Sequence, residues 1–331
     1  MGETGTLLLT RGDVAALLGI EECMTAVEGA FKLHAEGKTL PPGILGLHAR
    51  DGGFHIKAGI LDLSRSYFAA KVNANFPENS KRFDLPLIQG VIVLCDGENG
   101  CLLAVMDSME ITVIRTGAAT GVATKYLARS DSNTVTICGC GNQGRISLKA
   151  IAKVRDLKKV YAFDIDRERA EQFGRDLSQE LGIGIQPITD LRDAISQSDI
   201  CVTCTPSKNA FVKREDVVPG TFIAAVGADN EDKQELEPSL LSTSKVIVDL
   251  LEQCATIGEL HHALDEKLIT KERVHAELGE IIAGRKSGRM SADEIIIFDS
   301  TGTALQDVAS AAIVYERAVA QGRGIKIDFG A

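Results

Sequence analysis

The segment of this chain with the clearest chemical meaning is Gly139-Cys140-Gly141-Asn142-Gln143-Gly144. It directly follows a short apolar stretch, Thr134–Cys138, and opens a helical pattern, Gln143–Val154. A second apolar stretch, Val160–Phe163, ends in Asp164, about 25 residues past Gly139, against the roughly 20 usual for this arrangement. Strand, glycine-rich turn, helix and second strand ending in an acid together form a cradle for a dinucleotide. Gly139 permits the tight turn, Gly141 lets the backbone approach a pyrophosphate, and Gly144 allows the helix to lie close on the strand. The first amides of the helix, including those of Asn142 and Gln143, point at the anion. The Asp164 carboxylate accepts hydrogen bonds from ribose hydroxyls and repels a 2′-phosphate. NAD is therefore expected, with NADP left possible by Arg167 and Arg169 close behind.

Two later apolar stretches end in residues of the same kind of crevice: Cys204-Thr205-Pro206 and Val226-Gly227-Ala228-Asp229. Ligands of open parallel sheets bind beyond the carboxyl ends of the strands. Thr205 and Gly227 are accordingly expected beside the cofactor, and Asp229 beside the reacting carbon. The alternative for Asp229 is a turn or helix N-cap residue. Separate from these, Lys57, Lys71 and Arg115 stand among apolar or small residues. Cations rarely enter such surroundings unpaired, and together they suit recognition of a carboxylate. The competing reading is a side chain snorkelling to a solvated face.

These residues require elements to position them. Residues Asp13 to Glu36 have helical spacing. Strand patterns follow at Gly53–Ala58, Tyr67–Asn73, Pro86–Leu94 and Cys101–Met106, the last two joined by the turn signal Asp96-Gly97-Glu98-Asn99-Gly100. Residues Asp107 to Arg129 are mostly helical. From there strands alternate with helices: Thr134–Cys138, Val160–Phe163, Gly184–Pro187, Ile200–Cys204, Phe222–Val226, Val246–Leu250 and Ile295–Phe298, before a last helix from Thr303 to Gln321. Near-continuous apolar strands joined by helices predict a parallel sheet covered on both faces.

Bulk properties narrow the function classes. The 331 residues suffice for two domains, and 44% hydrophobic with 25% charged residues is ordinary for a globular chain. A net charge of −10 with scattered basic residues argues against nucleic acid as a partner. No apolar stretch approaches the roughly 20 residues that span a bilayer, and acidic Glu3 ahead of a short Leu run does not resemble a leader. No membrane association and a cytoplasmic location are expected. The 8 cysteines are read as reduced, buried thiols. Cys201 and Cys204 lie three apart on a strand pattern, so they point to opposite faces, and Cys138 and Cys140 have no histidine cluster beside them. His261-His262 reads as part of an amphipathic helix, and no metal site is expected.

Over nearly its whole length the sequence resembles the ornithine cyclodeaminase/mu-crystallin family, which includes an archaeal type of alanine dehydrogenase and cyclic imino-acid reductases. The resemblance is carried by Lys71-Val72-Asn73 with Phe76-Pro77-x-Asn79, by Asp107 through Ile111-Thr112 to Arg115-Thr116, and by Gly139–Gly144. It continues in Gly227-x-Asp229 with Lys233 and Glu235, and in Asp299-Ser300-x-Gly302-x-Ala304 with Asp307. It implies an α/β fold: a Rossmann dinucleotide-binding domain, residues 130–302, and a smaller α+β substrate and dimerisation domain, residues 1–129 with 303–331. It implies that Lys71 and Arg115 hold a substrate carboxylate, that Asp229 is the catalytic carboxylate, and that Thr116, Lys233 and Ser300 lie near the cofactor; a water held by Lys71 is the alternative proton carrier to Asp229. It also implies a homodimer. Three departures stand out. Many members carry an arginine shortly after the proline at Pro42, where this chain has Gly43-Ile44, and a Met-Pro pair where it has Lys57-Ala58. Lys57 can replace the missing charge, in a pocket altered away from ornithine cyclisation. Asp232 also stands where a glycine is usual.

Three functions compete on this basis. One is an NAD(H)-dependent dehydrogenase or reductase working at the α-carbon of a small amino or imino acid. The second is a cyclodeaminase that takes and returns the same hydride while releasing ammonia. The third is a non-catalytic ligand-binding protein, against which the joint retention of Lys71, Arg115 and Asp229 speaks. The Asp164 reading makes a direct prediction. Fluorescence titration should show tighter binding of NADH than of NADPH, and Asp164→Ser should narrow the difference. A preference of the unaltered chain for NADPH would mean that Arg167 or Arg169 overrides the acid.

Overall fold

A computed structural model describes residues 5–329; Glu3 and the last two residues lie outside them. In chain order its elements are β1 (Thr6–Leu9), α1 (Arg11–Leu17), α2 (Ile20–Ala35), β2 (Gly43–Ala49), β3 (Gly52–Asp62), β4 (Ser66–Asn75), α3 (Asn79–Arg82), β5 (Ile88–Asp96), β6 (Leu102–Asp107) and α4 (Ser108–Leu127). There follow β7 (Thr134–Cys138), α5 (Asn142–Ala152), β8 (Lys159–Phe163), α6 (Arg167–Leu181), β9 (Ile185–Pro187), α7 (Leu191–Ser196), β10 (Ile200–Thr203), β11 (Phe222–Ala225), α8 (Pro238–Ser242) and β12 (Lys245–Val248). The chain closes with α9 (Leu251–Ile257), α10 (Glu259–Asp265), β13 (Ala276–Glu277), α11 (Leu278–Ile282), β14 (Ile296–Asp299), α12 (Ala304–Gln321) and β15 (Ile325–Ile327). Two compact units result, one of residues up to Arg115 with those from Thr303, the other of Thr116–Gly302.

The first unit is a mixed sheet in the order β15-β1-β6-β5-β4-β3-β2. Strands β2 to β6 form an antiparallel meander, while β1 runs parallel to β6. Helix α12 lies on β3 and β4 and against α2. It presents small residues to its neighbours, and Gly59 admits it: a Cβ at that position would already touch Ala304 Cβ at 3.4 Å. The helix expected from Asp13 to Glu36 is two helices. Leu18 and Gly19 are both extended, and the Thr10 hydroxyl and Asp13 carboxylate close a capping box on α1. Apolar spacing runs through the break because both helices bury the same kind of residue.

The second unit is a parallel sheet in the order β13-β12-β14-β11-β10-β7-β8-β9. The chain leaves β7 in one direction and returns to its other side at β10, so the switch point lies between those two strands. Strands β10, β11 and β14 are buried at every residue, as a sheet covered on both faces requires. The division between units falls inside α4, between Arg115 and Thr116, rather than near Arg129. The first half of this helix bonds to β4 through Ser108–Asn73 and Lys71–Thr112. The second half packs with the parallel-sheet unit, where Arg155 donates to the carbonyls of Thr124 and Ala128. The helix runs unbroken through both halves, so helical spacing carries no mark of the change.

The three motif glycines have separate roles in this fold. Gly139 has φ of 104°, a left-handed value that side chains avoid. A Cβ on Gly144 would collide with the Gly139 carbonyl oxygen, whereas one on Gly141 would meet nothing within 4 Å. Gly144→Ala should therefore destabilise the protein by about 1–3 kcal/mol, the usual scale of overpacking, and lower the thermal midpoint. Gly141→Val should leave the midpoint in place. Equal midpoints for Gly144→Ala and the unaltered protein would mean that the close approach of α5 to β7 is not tight.

Candidate active site

In the parallel-sheet unit, the residues singled out by sequence gather just past the carboxyl ends of β7, β8, β10, β11 and β14. At β7 the turn leads into α5, whose N-cap, Gly141, supplies no side-chain hydrogen bond. By contrast α6 and α7 are capped by Asp166 and Asp190. The first amides of α5 are thus left for an incoming acceptor, and the exposed, unobstructed face of Gly141 gives it room. At the end of β8, Asp164 accepts from Cys140 N–H at 2.9 Å and from Asp166 N–H at 3.0 Å. These two bonds hold the carboxylate beside the glycine turn, and a carboxylate has about four acceptor sites, so capacity remains for ribose hydroxyls. Arg167 pairs with Glu171 and Arg169 with Asp166, both on the exposed surface of α6.

Past β10 and β11, one side chain joins the two strand ends. Glu235 is fully buried and accepts from Thr205 N–H at 2.5 Å and Gly227 N–H at 3.1 Å. Burial pushes its carboxyl up to about 7 against the pull of those hydrogen bonds. Asp229 is exposed, lies in a loop and caps no helix; the next helix, α8, has Glu237 at its N-cap. Lys233 Nζ sits 2.6 Å from Asp229 Oδ1 and also donates to the Gly227 carbonyl at 3.3 Å. The Ser300 hydroxyl donates to buried Asp249 at 3.0 Å, which leaves its oxygen as an acceptor. Thr116 is buried at the start of this unit's part of α4.

The first unit holds the cations. Lys57 on β3 and Lys71 on β4 are directly opposite each other in the antiparallel register, so their side chains share one face. Neither they nor Arg115 snorkel: all three are buried. Lys71 and Arg115 share one anchor, Asp307 in the first turn of α12, itself 1% exposed. Its Oδ2 lies 2.7 Å from Lys71 Nζ, and its Oδ1 accepts from Arg115 Nε at 3.0 Å. Arg115 Nη1 donates to buried Gln306 Oε1 at 2.9 Å. Burial brings the Lys71 ammonium down to about 7, Asp307 opposes this, and the nearby Arg115 and Lys57 charges add to the fall. Burial would raise the Asp307 carboxyl, but attraction to Lys71 and Arg115 outweighs it and holds the group below its ordinary range.

A family model described as the ornithine cyclodeaminase/mu-crystallin family matches residues 4–322. The chain belongs to the ornithine cyclodeaminase/mu-crystallin family. Among its relatives is an alanine dehydrogenase of Archaeoglobus fulgidus, 41% identical over 324 residues that cover 98% of each chain. Among solved structures, an archaeal alanine dehydrogenase dimer with bound NAD superposes with a TM-score of 0.94 at 41% identity, covering 98% of this chain and 99% of that one. The Δ1-pyrroline-2-carboxylate reductase of Thermococcus litoralis, in complex with NADH and L-proline, superposes with a TM-score of 0.92 at 36% identity, covering 97% and 100%.

This member of the family contains two buried acids whose roles sequence reasoning did not reach. Asp307 leaves a signal, an acid inside the apolar run Ala304-Leu305-Gln306-Asp307-Val308-Ala309. Glu235 belongs to the motif that carries the resemblance, but its burial leaves no local signal, because it stands in the polar stretch from Asn230 to Glu237. The cysteines are free, and no cluster that could hold a metal occurs among the described residues. His262 Nε2 contacts the Lys233 carbonyl at 2.8 Å from within α10.

The cation cluster predicts proton-linked binding. At pH 8 a Lys71 with a pKa near 7 is mostly neutral. A ligand carboxylate beside it favours the ammonium and raises that pKa, so binding should take up protons. Calorimetry of a small amino acid in buffers of different ionisation enthalpy should reveal this uptake at pH 8, and Lys71→Met should remove it. Proton release, or no exchange, in the unaltered protein would contradict the placement of the acid group at Lys71.

Proposed function

We propose that the protein is an NAD(H)-dependent oxidoreductase that acts at the α-carbon of a small amino or imino acid with net redox change. The carrying observation is the buried Lys71–Asp307–Arg115 cluster, a site suited to a carboxylate, in a chain that also provides an open dinucleotide cradle. The residues fit NAD. The free amides of α5 and the bare face of Gly141 receive the pyrophosphate, with Asn142 and Gln143 in that first turn, and Asp164 takes the ribose hydroxyls. Thr205, Gly227, Lys233, Ser300 and Thr116 serve the nicotinamide end. When bound, the nicotinamide supplies acceptance or donation of the hydride.

The chain's own residues supply orientation and proton handling. Arg115 offers a planar fork and Lys71 a point charge to the substrate carboxylate, with Lys57 reinforcing the field. Fixing that group sets which face of the α-carbon is presented. Oxidising the amine releases a proton, and reducing the imine consumes one. Asp229 carries it, with Lys233 orienting the carboxylate through the 2.6 Å contact. Net redox chemistry, rather than cyclodeamination, is supported by the names of the relatives at 36–41% identity, a dehydrogenase and a reductase.

Assembly as a homodimer is part of this reading. Strand β2 ends the first unit's sheet and is exposed along its whole length, with Ile44, Leu45 and Leu47 about half exposed. Phe54, Phe83, Leu85 and Leu87 add exposed apolar surface in the same unit. An edge strand of this kind is usually covered in a native protein, and a second copy of the chain is the occupant proposed. No helix among the described residues is long and apolar enough to cross a membrane. The eight free cysteines suit a reducing compartment, and the cytoplasm is proposed.

A panel of small amino and imino acids, followed at the NADH absorbance band with ammonia measured in parallel, tests the function. Lasting NADH formation with an amino acid supports it, whereas ammonia release without accumulated NADH would point to cyclodeamination. Asp229→Asn should lower kcat by about 100-fold or more, the scale of general acid–base catalysis, with NADH affinity nearly unchanged. Full activity in that variant would remove Asp229 from the proton path.

A further inference from the structure

Strand ends in a parallel sheet present an accounting problem. The last ladder bonds of β10 and β11 are Cys204 N–H to the Cys138 carbonyl and Val226 N–H to the Thr203 carbonyl. The next amide on each strand path, those of Thr205 and Gly227, has no ladder partner, and a buried amide without an acceptor is costly. Glu235 receives both, one on each carboxylate oxygen. A Cβ on Gly227 would collide with that same carboxylate. The glycine is therefore required by Glu235, in addition to any approach of a ligand.

Glu235 is itself held by a succession of buried acids. Its own N–H and that of Leu236 donate to the two oxygens of Glu259, at 2.8 and 3.0 Å. The N–H groups of Glu259 and Leu260 donate in turn to Asp299, at 3.2 and 2.9 Å, at the end of β14. This succession ties the loop of Asp229 and Lys233 to the sheet. We propose that Glu235 is a positioning residue for the nicotinamide end of the dinucleotide site, its single carboxylate fixing the loops that leave β10 and β11. The proposal rests on the NAD(H) reading above and assigns Glu235 no contact with substrate.

The arrangement works only while both oxygens accept. The charged and titratable groups around Glu235 are Glu259 on α10, Asp299 behind it, Lys233 on its own loop, and the thiols of Cys138 and Cys204 past β7 and β10. Burial brings the carboxyl up to about 7, against the pull of its hydrogen bonds and of Lys233. A protonated Glu235 has one oxygen turned donor, facing an amide that also donates. The two loops then lose a common anchor as pH falls through about 7.

The test is a fluorescence titration of NADH from pH 6 to pH 8.5 on the full chain and on Glu235→Gln, with a thermal melt and steady-state kinetics alongside. For the unaltered protein, NADH should bind several-fold more weakly at pH 6 than at pH 8.5. Glu235→Gln should bind about tenfold more weakly at pH 8.5 and lose that pH dependence, with kcat reduced and the amino-acid KM little changed. A merely structural role would lower the melting point without flattening the pH profile. Should the variant not fold, the pH profile of the unaltered protein still decides: affinity independent of pH across this range overturns the proposal. So does a Glu235→Gln variant with unaltered affinity and profile. Absence of NADH binding to the unaltered protein at any pH would instead defeat the dinucleotide reading itself.

Discussion

Asp307 sits in a nearly sealed position and makes two ion pairs at once, to Lys71 and Arg115. Much of the first unit is arranged around this one carboxylate. Burying an ammonium and a guanidinium costs several kcal/mol each unless charge and hydrogen bonds are returned, and Asp307 returns both. Removing one partner of such a buried pair typically costs about 3–5 kcal/mol. The sheet places Lys57 and Lys71 side by side, which alone would be repulsive. It is tolerable because α12 brings its first turn, with the acid, over the same strands. The first unit thus keeps Lys57, Lys71 and Arg115 buried, two of them paired with one carboxylate.

The parallel-sheet unit uses buried carboxylates for a different purpose. Here Glu235, Glu259, Asp299 and Asp249 accept backbone amides where strands end and loops begin. The carboxyl ends of a parallel sheet are where ligands bind, so loops there must be both irregular and fixed. Irregular backbone cannot satisfy its own amides, and a carboxylate can satisfy two. The cost is visible in the groups themselves: burial raises Glu235 and Asp299 to about 7. Asp249 gathers Ser300, Thr301 and Gly302 in the same manner, which links a residue expected beside the cofactor to the interior of the unit.

The two kinds of site differ in how much space they leave. Around Asp307 the charged groups are buried and paired. Around Gly141 the helix terminus is open, without a side-chain cap, and what it exposes is backbone. Residues of the first kind are sensitive to charge-altering substitution, while those of the second are sensitive to bulk.

Legible in the sequence were the parallel sheet, the glycine-rich turn between β7 and α5, and the cations that stand among apolar residues. These are local properties. A run of apolar residues on a strand, a glycine spacing and a lysine in apolar surroundings each carry their meaning within a few residues. Sequence also read Asp13–Glu36 as one helix and put the unit boundary near Arg129. There the local pattern is continuous, and only caps and packing partners make the difference. Strand β1 and the edge strands β2 and β15 escaped for a related reason, since they are short or glycine-interrupted and defined by what they pair with. Tertiary structure alone decided which acid meets which cation and which amide. Asp307 lies roughly 190 residues beyond Arg115 and Glu235 eight beyond Gly227, yet neither pairing is encoded by spacing. Hydrogen bonds and ion pairs act over a few ångströms of space, and the distance along the chain does not enter them.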